Sequence, residues 1–372
     1  MDLRLQELVE ESAYQLFHYP ETTKKQDLKY LIKRILRPSN TPKRDFFFWP
    51  HAMLTQSLEE AKDLESLKKY YDRWIEKGQP IGNIDHMMNG YSLLFVYEKT
   101  KDHRYQQAAD RMYEYLLQYQ KDMKGTLPYR RNHPTHIYVD GVGMMVPFLC
   151  RYGSIFEKKE ALDLAVKQIR EFFEYGMDKE SGLPYHGYDL KTKVKQGIIG
   201  WGRAVGWLLL ALADSYEYVN CEEQKWLGEV YQNLLINSLH YLREDGYFSW
   251  QLTAKEGPKD TSATAMIGYA LQKAWNLGLM MKEDTLFPEN DDRQTRKKKS
   301  CVIGGPDCEV RADICIQNCL ADMEQAIWKS VNGKKIGDCS GECEGFSQYP
   351  QVYGAYPWSL GPGVRFLLIR KE

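Results

Sequence analysis

Asp85, Asp140, His186 and Arg203 are the residues of this chain whose type and setting could do chemistry. They lie in the stretches "DHMMNG", "YVDGVGMMVPFL", "LPYHGYD" and "WGRAVGW". Asp85 and Asp140 hold equivalent places, each opening an apolar segment of helical length. The amides and dipole of a helix N-terminus favour an ionised carboxylate there. A single Asp in that position is readily explained as an N-cap. Two at equivalent positions facing one opening are the usual equipment for acid–base work on sugars, because one carboxylate's charge can hold its neighbour protonated. His186 sits in a loop leading to the same opening. A lone His is more often a hydrogen-bonded structural residue than a catalyst, so its candidacy rests on that loop. Arg203 opens an apolar helix against the dipole rule. It is therefore either paired with an Asp or placed to grip an anionic ligand, for which the guanidinium fork suits a carboxylate. Trp201 and Trp207 flank it, six residues apart, and so point from different parts of the helix surface.

The elements that must carry these residues recur. Apolar segments begin at Phe46 ("FFFWPHAMLTQSLEEA"), Asp85, Asp140, Trp201, Thr261 and Ala355. The starts at 85, 140, 201 and 261 are spaced by 55, 61 and 60 residues. Most are apolar nearly all round and rich in Gly, Ala and Met, which describes helices enclosed on every side with close neighbours. Between them run charged amphipathic segments such as "RYQQAADRMYEYLLQYQ" and "KEALDLAVKQIREFFEYG", with apolar positions at three- and four-residue steps. Six enclosed helices alternating with six amphipathic ones predict an all-α fold, the (α/α)6 barrel or six-hairpin toroid. An open solenoid is the competing architecture. It would leave its units two-sided, whereas these inner segments read as enclosed. The Gly- and aromatic-containing loops "GTLPYRRNHPTHIYVD", "SGLPYHGYDLKTKVKQGIIGWGR" and "DGYFSWQLTAKEGPKDTSATA" should then meet at one mouth, where a rigid scaffold carries chemistry on loops.

The 372 residues are read as one catalytic domain, 1–372, with a charged surface insertion over 281–308 that includes "RKKKS". The net charge of −1 makes no electrostatic case for nucleic acid or an anionic membrane. The start "MDLRLQELVEES" has no secretion-signal pattern, and no uncharged run approaches the roughly 20 apolar residues of a membrane span. A cytoplasmic protein with reduced cysteines is expected. Six cysteines cluster at 301, 308, 315, 319, 339 and 343; three intervening residues, as in Cys339–Cys343, are a weak zinc signal, and no metal is assigned. The 26 Tyr and 9 Trp suit sugar faces but equally suit helix packing.

Taken together and in order, "DHMMNG", "YVDGVGMMVPFL", "LPYHGYD", "WGRAVGW" and "SATAMIGYAL" resemble glycoside hydrolase family 105, over about Trp49 to Leu368. These are unsaturated rhamnogalacturonyl hydrolases and related unsaturated uronyl hydrolases. The resemblance implies the (α/α)6 barrel. It also implies removal of a 4,5-unsaturated uronic acid, galacturonyl or glucuronyl, from the non-reducing end of oligosaccharides left by polysaccharide lyases. The implied reaction hydrates the C4=C5 enol ether and needs no cofactor. By the same resemblance Asp140 is the catalytic acid, Asp85 its functional partner and His186 an active-site histidine. Arg203, Trp201, Trp207, Arg130, His136 and Trp49 bind substrate. The chain departs from the family pattern at Ala204-Val205, at Arg130 and in "DCSGECEGFSQYP", all where sugar subsites form. Two other functions stay open beside this one: an inverting (α/α)6 glycosidase on saturated glycosides, and a non-catalytic toroid that binds sugars or proteins. Oligomeric state and the identity of the next sugar are left open.

Overall fold

The inner helices follow from sequence runs that have no polar face to give to water. They are α2 (Trp49–Glu60), α4 (Asn89–Thr100), α6 (Val139–Ile155), α8 (Gly202–Ala213), α10 (Thr261–Asn276) and α12 (Pro357–Ile369). Every residue of α8 is buried. The outer helices are α1 (Leu3–His18), α3 (Leu64–Glu76), α5 (His103–Gln118), α7 (Lys159–Tyr175), α9 (Cys221–Leu239) and α11 (Ile316–Lys329). Each of these buries one stripe, as α3 does with Leu67, Tyr70, Tyr71 and Trp74. The structure is a computed structural model. It describes residues 2–19, 48–280, 315–343 and 345–371, with positions 28, 31, 32, 35 and 36. The insertion expected at 281–308 lies outside the described residues, as do Phe46 and Phe47, so the first inner helix is described from Trp49.

Each inner helix packs on the next, α2 on α4 and so on round to α12, and α12 packs back on α2. The ring is closed, which separates the toroid from an open solenoid. Glycines make the seams. A Cβ on Gly90 would overlap Phe148, one on Gly143 would overlap Trp207, and one on Gly361 would come 2.3 Å from the Met53 carbonyl oxygen. Gly206 against Met266 and Gly268 against Phe366 repeat the pattern on α8 and α10. The Gly-rich character of the inner segments is thus a packing requirement of the ring.

Helix ends differ between the rings. Outer helices start from Asp2, Asp63, Asp102 and Asn220, whose side chains accept a first-turn N–H. Inner helices α2, α4, α6 and α8 have no such side-chain cap. Their N-termini point into the mouth. At the opposite end, buried ion pairs join the helix C-termini: Arg151 to Glu59 and Glu98, and Arg365 to Asp214 and Glu60. No helix among the described residues is long and apolar enough to cross a membrane.

Short strands dress the mouth. β1 (His136–Tyr138), β2 (Tyr185–Asp189) and β3 (Lys195–Ile199) form an antiparallel sheet in that order. β4 (Val331–Asn332) pairs with β5 (Lys335–Ile336), and β6 (Cys339–Ser340) with β7 (Tyr353–Gly354). One expectation is corrected: Asp85 does not open an α-helix. It lies in a 3₁₀ turn, Ile84–Met88, that precedes α4, a common tightening at a helix start.

Candidate active site

β1 runs without a break into α6: its last residue, Tyr138, is the N-cap and Asp140 is the second helical residue. The β1–β2 register sets Tyr138 opposite Gly187, so His186 arrives beside Asp140. The imidazole Nε2 lies 3.0 Å from Asp140 Oδ2. Asp140 therefore does not cap its helix. Its side chain is directed across to His186 and into a cavity. Oδ1 makes no hydrogen bond to protein among the described residues, and Asp140 retains 13% side-chain exposure, so Oδ1 is open to the cavity.

Opposite His186 the β2–β3 ladder slips: Tyr185 pairs with Ile199 but Gly187 with Gln196, so Gly197 and Ile198 together face His186. Gly197 takes φ +80°, and a Cβ there would lie 2.5 Å from His186 Cβ and 2.7 Å from Tyr349 Oη. Only glycine suits this bulge. Tyr349 Oη lies 2.7 Å from His186 Nδ1.

The cavity is lined by Trp49, Tyr129, Arg130, Tyr138, Asp140, Met144, His186, Trp201, Arg203, Trp207, Glu342, Cys343 and Gly345, and holds about 430 Å³ counting solvent at its mouth. Trp49 and Trp207 meet edge to face at 6.0 Å, and the Tyr138 ring stacks on Phe346 at 3.9 Å. Of the residues expected from sequence, Asp140, His186, Trp201, Arg203, Trp207, Arg130 and Trp49 all come together on this wall. Asp85 and His136 do not line it. Asp85 stays close by: burial first, then the charges of Asp85 and Asp140, push the Tyr129 phenol well above its ordinary value. His136 packs between His133 and Phe346, at 5.1 and 5.3 Å.

Arg203 resolves toward pairing. Its Nη1 donates to the Ser340 carbonyl (2.9 Å) and hydroxyl (2.6 Å), and Nη2 to the Gly341 carbonyl (2.6 Å). Asp260, which caps α10, sits 3.8 Å away and also accepts from the Ser340 hydroxyl. Arg203 is 2% exposed, so it clamps the 339–341 segment to the mouth. Arg130 differs. It is exposed at the rim, lies over the Tyr129 ring at 5.9 Å, and forms no ion pair among the described residues.

In the C-terminal segment "DCSGECEGFSQYP", which the resemblance sets among the subsites, the sequence singles out only Cys339 and Cys343, as a weak zinc pair and not as lining residues. Glu342, Cys343 and Tyr349 come from it, and Tyr129, Tyr138 and Met144 were also passed over as lining residues. Tyr129 and Tyr138 stood in a loop already expected at the mouth, which was the available signal. Cys343 is pushed up to about 12, by burial and then by the Asp140 carboxylate, so it stays a thiol and is no nucleophile. No group of three metal-ligating side chains occurs among the described residues.

Comparison with known proteins identifies the family and the fold. The model of a family described as Glycosyl Hydrolase Family 88 matches residues 49–286. The unsaturated rhamnogalacturonyl hydrolase YesR of Bacillus subtilis is 26% identical over 265 residues, covering 66% of this chain and 76% of that protein. A solved structure from Salmonella enterica serovar Paratyphi A, described as a possible member of family GH105, aligns with a TM-score of 0.78. It is 15% identical and the alignment covers 98% of this chain and 93% of the other. A family 105 glycoside hydrolase from Clostridium acetobutylicum aligns with a TM-score of 0.69 at 18% identity, over 92% and 98%. The structural likeness supports the (α/α)6 fold inferred from the closed ring.

Proposed function

The chain belongs to Glycosyl Hydrolase Family 88 and is a glycoside hydrolase; from that premise we propose that it removes a 4,5-unsaturated galacturonic acid from the non-reducing end of lyase-generated oligosaccharides, as one catalytic domain. The observation that carries this reading is the Asp140–His186 contact of 3.0 Å inside an aromatic-walled cavity. The named activity of the B. subtilis relative supports the galacturonyl choice.

In this reading Asp140 donates a proton to C4 of the enol ether. The cation left at C5 is stabilised by the ring oxygen. Water adds at C5 and returns its proton to the Asp140 carboxylate. The hemiketal so formed opens by breaking the bond from C5 to the ring oxygen, giving a ketone at C5 and a hemiacetal at C1, and that hemiacetal collapses to an aldehyde and releases the remaining sugar as an alcohol. One water is consumed, no electrons are exchanged, and Asp140 ends as it began. The route differs from the two-carboxylate scheme of ordinary glycosidases, which displaces at C1. That difference fits a site where the second acid, Asp85, does not line the cavity. Asp85 acts at a distance, its negative charge felt at the Tyr129 phenol that lines the cavity. Trp49, Trp201 and Trp207 offer faces for the sugar.

Disaccharides prepared with lyases from pectin, glycosaminoglycan and ulvan-type polymers test the reading. The expected result is loss of the ultraviolet absorbance of the conjugated uronate, fastest for the pectin-derived compound, with saturated glycosides untouched. Cleavage of saturated glycosides alone would identify an inverting glycosidase instead. Fastest turnover of a glucuronyl substrate would move the assignment within the same chemistry.

Because Arg203 is bonded to the 340–341 backbone, Arg130 is assigned to the uronate carboxylate. Arg130→Gln should raise KM by about tenfold to a hundredfold, the worth of a hydrogen bond to a charged group. kcat should stay within about threefold, since the carboxylate is held in ground and transition states alike. An unchanged KM would place the carboxylate elsewhere.

A further inference from the structure

His186 is held from both sides, and what holds it determines which nitrogen carries its hydrogen. Nε2 faces Asp140 Oδ2 at 3.0 Å and Nδ1 faces Tyr349 Oη at 2.7 Å. The Tyr349 oxygen also accepts the Ile198 backbone N–H at 3.4 Å, across the Gly197 bulge. A phenol has one hydrogen to give. Its oxygen accepts from Ile198, and the acceptor within reach of its hydrogen among the described residues is Nδ1. A neutral imidazole that accepts at Nδ1 carries its own hydrogen on Nε2. The reverse arrangement puts the bare Nε2 lone pair against Asp140 Oδ2, where it repels a carboxylate and draws the proton of the acid away from the cavity, and it gives the phenol hydrogen no acceptor among the described residues.

We propose that Tyr349 is a positioning residue that holds His186 in its Nε2–H tautomer, so that His186 donates to Oδ2 of Asp140 and Oδ1 is left to exchange the proton with substrate and water. This rests on the reading of Asp140 as the acid. It adds a division of labour between the two carboxylate oxygens: one is tied to the imidazole and one faces the cavity. Burial raises the Tyr349 phenol above its ordinary value, so it keeps the hydrogen it donates. The ring is seated against Trp201 at 5.8 Å and Trp250 at 6.0 Å, so its hydroxyl is delivered from a fixed place. Specifying the tautomer matters because a histidine with the wrong nitrogen protonated presents a lone pair where a donor is needed.

Tyr349→Phe keeps the ring packing and deletes the hydroxyl alone. Proton–nitrogen correlation spectra of the ¹⁵N-labelled imidazoles, with His186 assigned by its absence from His186→Gln, report the tautomer directly. The wild-type protein is expected to show Nε2–H, and Tyr349→Phe a shift toward Nδ1–H. Turnover of the unsaturated disaccharide should fall roughly tenfold in kcat, at the low end of what a positioned proton-transfer group contributes, with KM within about twofold. A purely structural role for Tyr349 would leave the tautomer unchanged. An Nδ1–H His186 in the wild-type protein, or the same tautomer in both proteins, overturns the proposal; should Tyr349→Phe not fold, a hydroxyl proton of Tyr349 coupled to His186 Nδ1 in the wild-type spectrum supports it and a hydroxyl exchanging freely with water overturns it. Failure of the acid assignment reads out separately: Asp140→Asn with near-normal turnover removes Asp140 as the acid whichever tautomer His186 holds.

Discussion

Asp140→Asn should lose at least about a hundredfold in kcat while unfolding as the parent does. The loss has the scale of a general acid taken from its reaction. Asn is isosteric and offers its amide oxygen to His186, so the 3.0 Å contact can persist. What it lacks is a proton to deliver to C4 and a carboxylate to take one from water. The fold should tolerate the change for a specific reason: Asp140 makes no cap hydrogen bond to α6, so no helix end is lost. Two measurements together check this. The decay of uronate absorbance gives the rate, and the urea midpoint should stay within about 0.5 kcal/mol of the parent, the range of substitutions that break no packing. Near-normal turnover would falsify the assignment. A matching loss of stability would mean that Asp140 acts through structure.

The largest effect on stability is expected at the other end of the barrel. Arg365 gives Nη1 and Nη2 to the two oxygens of Asp214, at 2.7 and 2.8 Å, and Nε to Glu60 at 3.3 Å. Its guanidinium lies 3.9 Å from the centre of the Tyr269 ring. The Asp214 side chain has no solvent exposure. Burial, the largest influence, would raise its carboxyl, but the charges of Arg365 and Lys273 together with hydrogen bonds from Arg365 and Tyr269 outweigh it and hold the group below its ordinary value. Arg365→Ala leaves that carboxylate enclosed, with Lys273 at 3.9 Å as its remaining cation. Removing one partner of such a pair costs about 3–5 kcal/mol.

The sign with pH follows from the same groups. A depressed folded value means that the parent gains from Asp214 above the unfolded carboxylate value of about 3.9, and loses that gain as pH falls through the folded value. In Arg365→Ala burial is opposed by less positive charge, so the carboxyl is raised and protonation relieves the strain. The stability gap between parent and variant should therefore be widest near neutral pH and narrow below about pH 4. Urea unfolding across that range checks it. A gap independent of pH would assign the cost to the cavity left by the side chain.

The toroid was legible because each inner segment lacks a polar face and each outer one shows a single apolar stripe, and those periodicities are local properties of the chain. The same locality placed Asp140, Trp201, Arg203 and Trp207 at inner-helix N-termini, and therefore at one mouth. It misjudged Asp85, because a 3₁₀ turn and the first turn of an α-helix differ by a small change in backbone angles that residue types do not encode. It also left Arg203 undecided, since the carbonyls that accept from it come from residues 137 and 138 positions further along.

The sequence by itself determined the architecture and the end of it at which the candidate site residues gather. Only the tertiary structure decided which atoms meet there. His186 reaches Asp140 across 46 residues and Tyr349 reaches His186 across 163. Strand register and ring closure fix such contacts to a fraction of an ångström, whereas hydrophobic periodicity constrains only which face of a helix is buried.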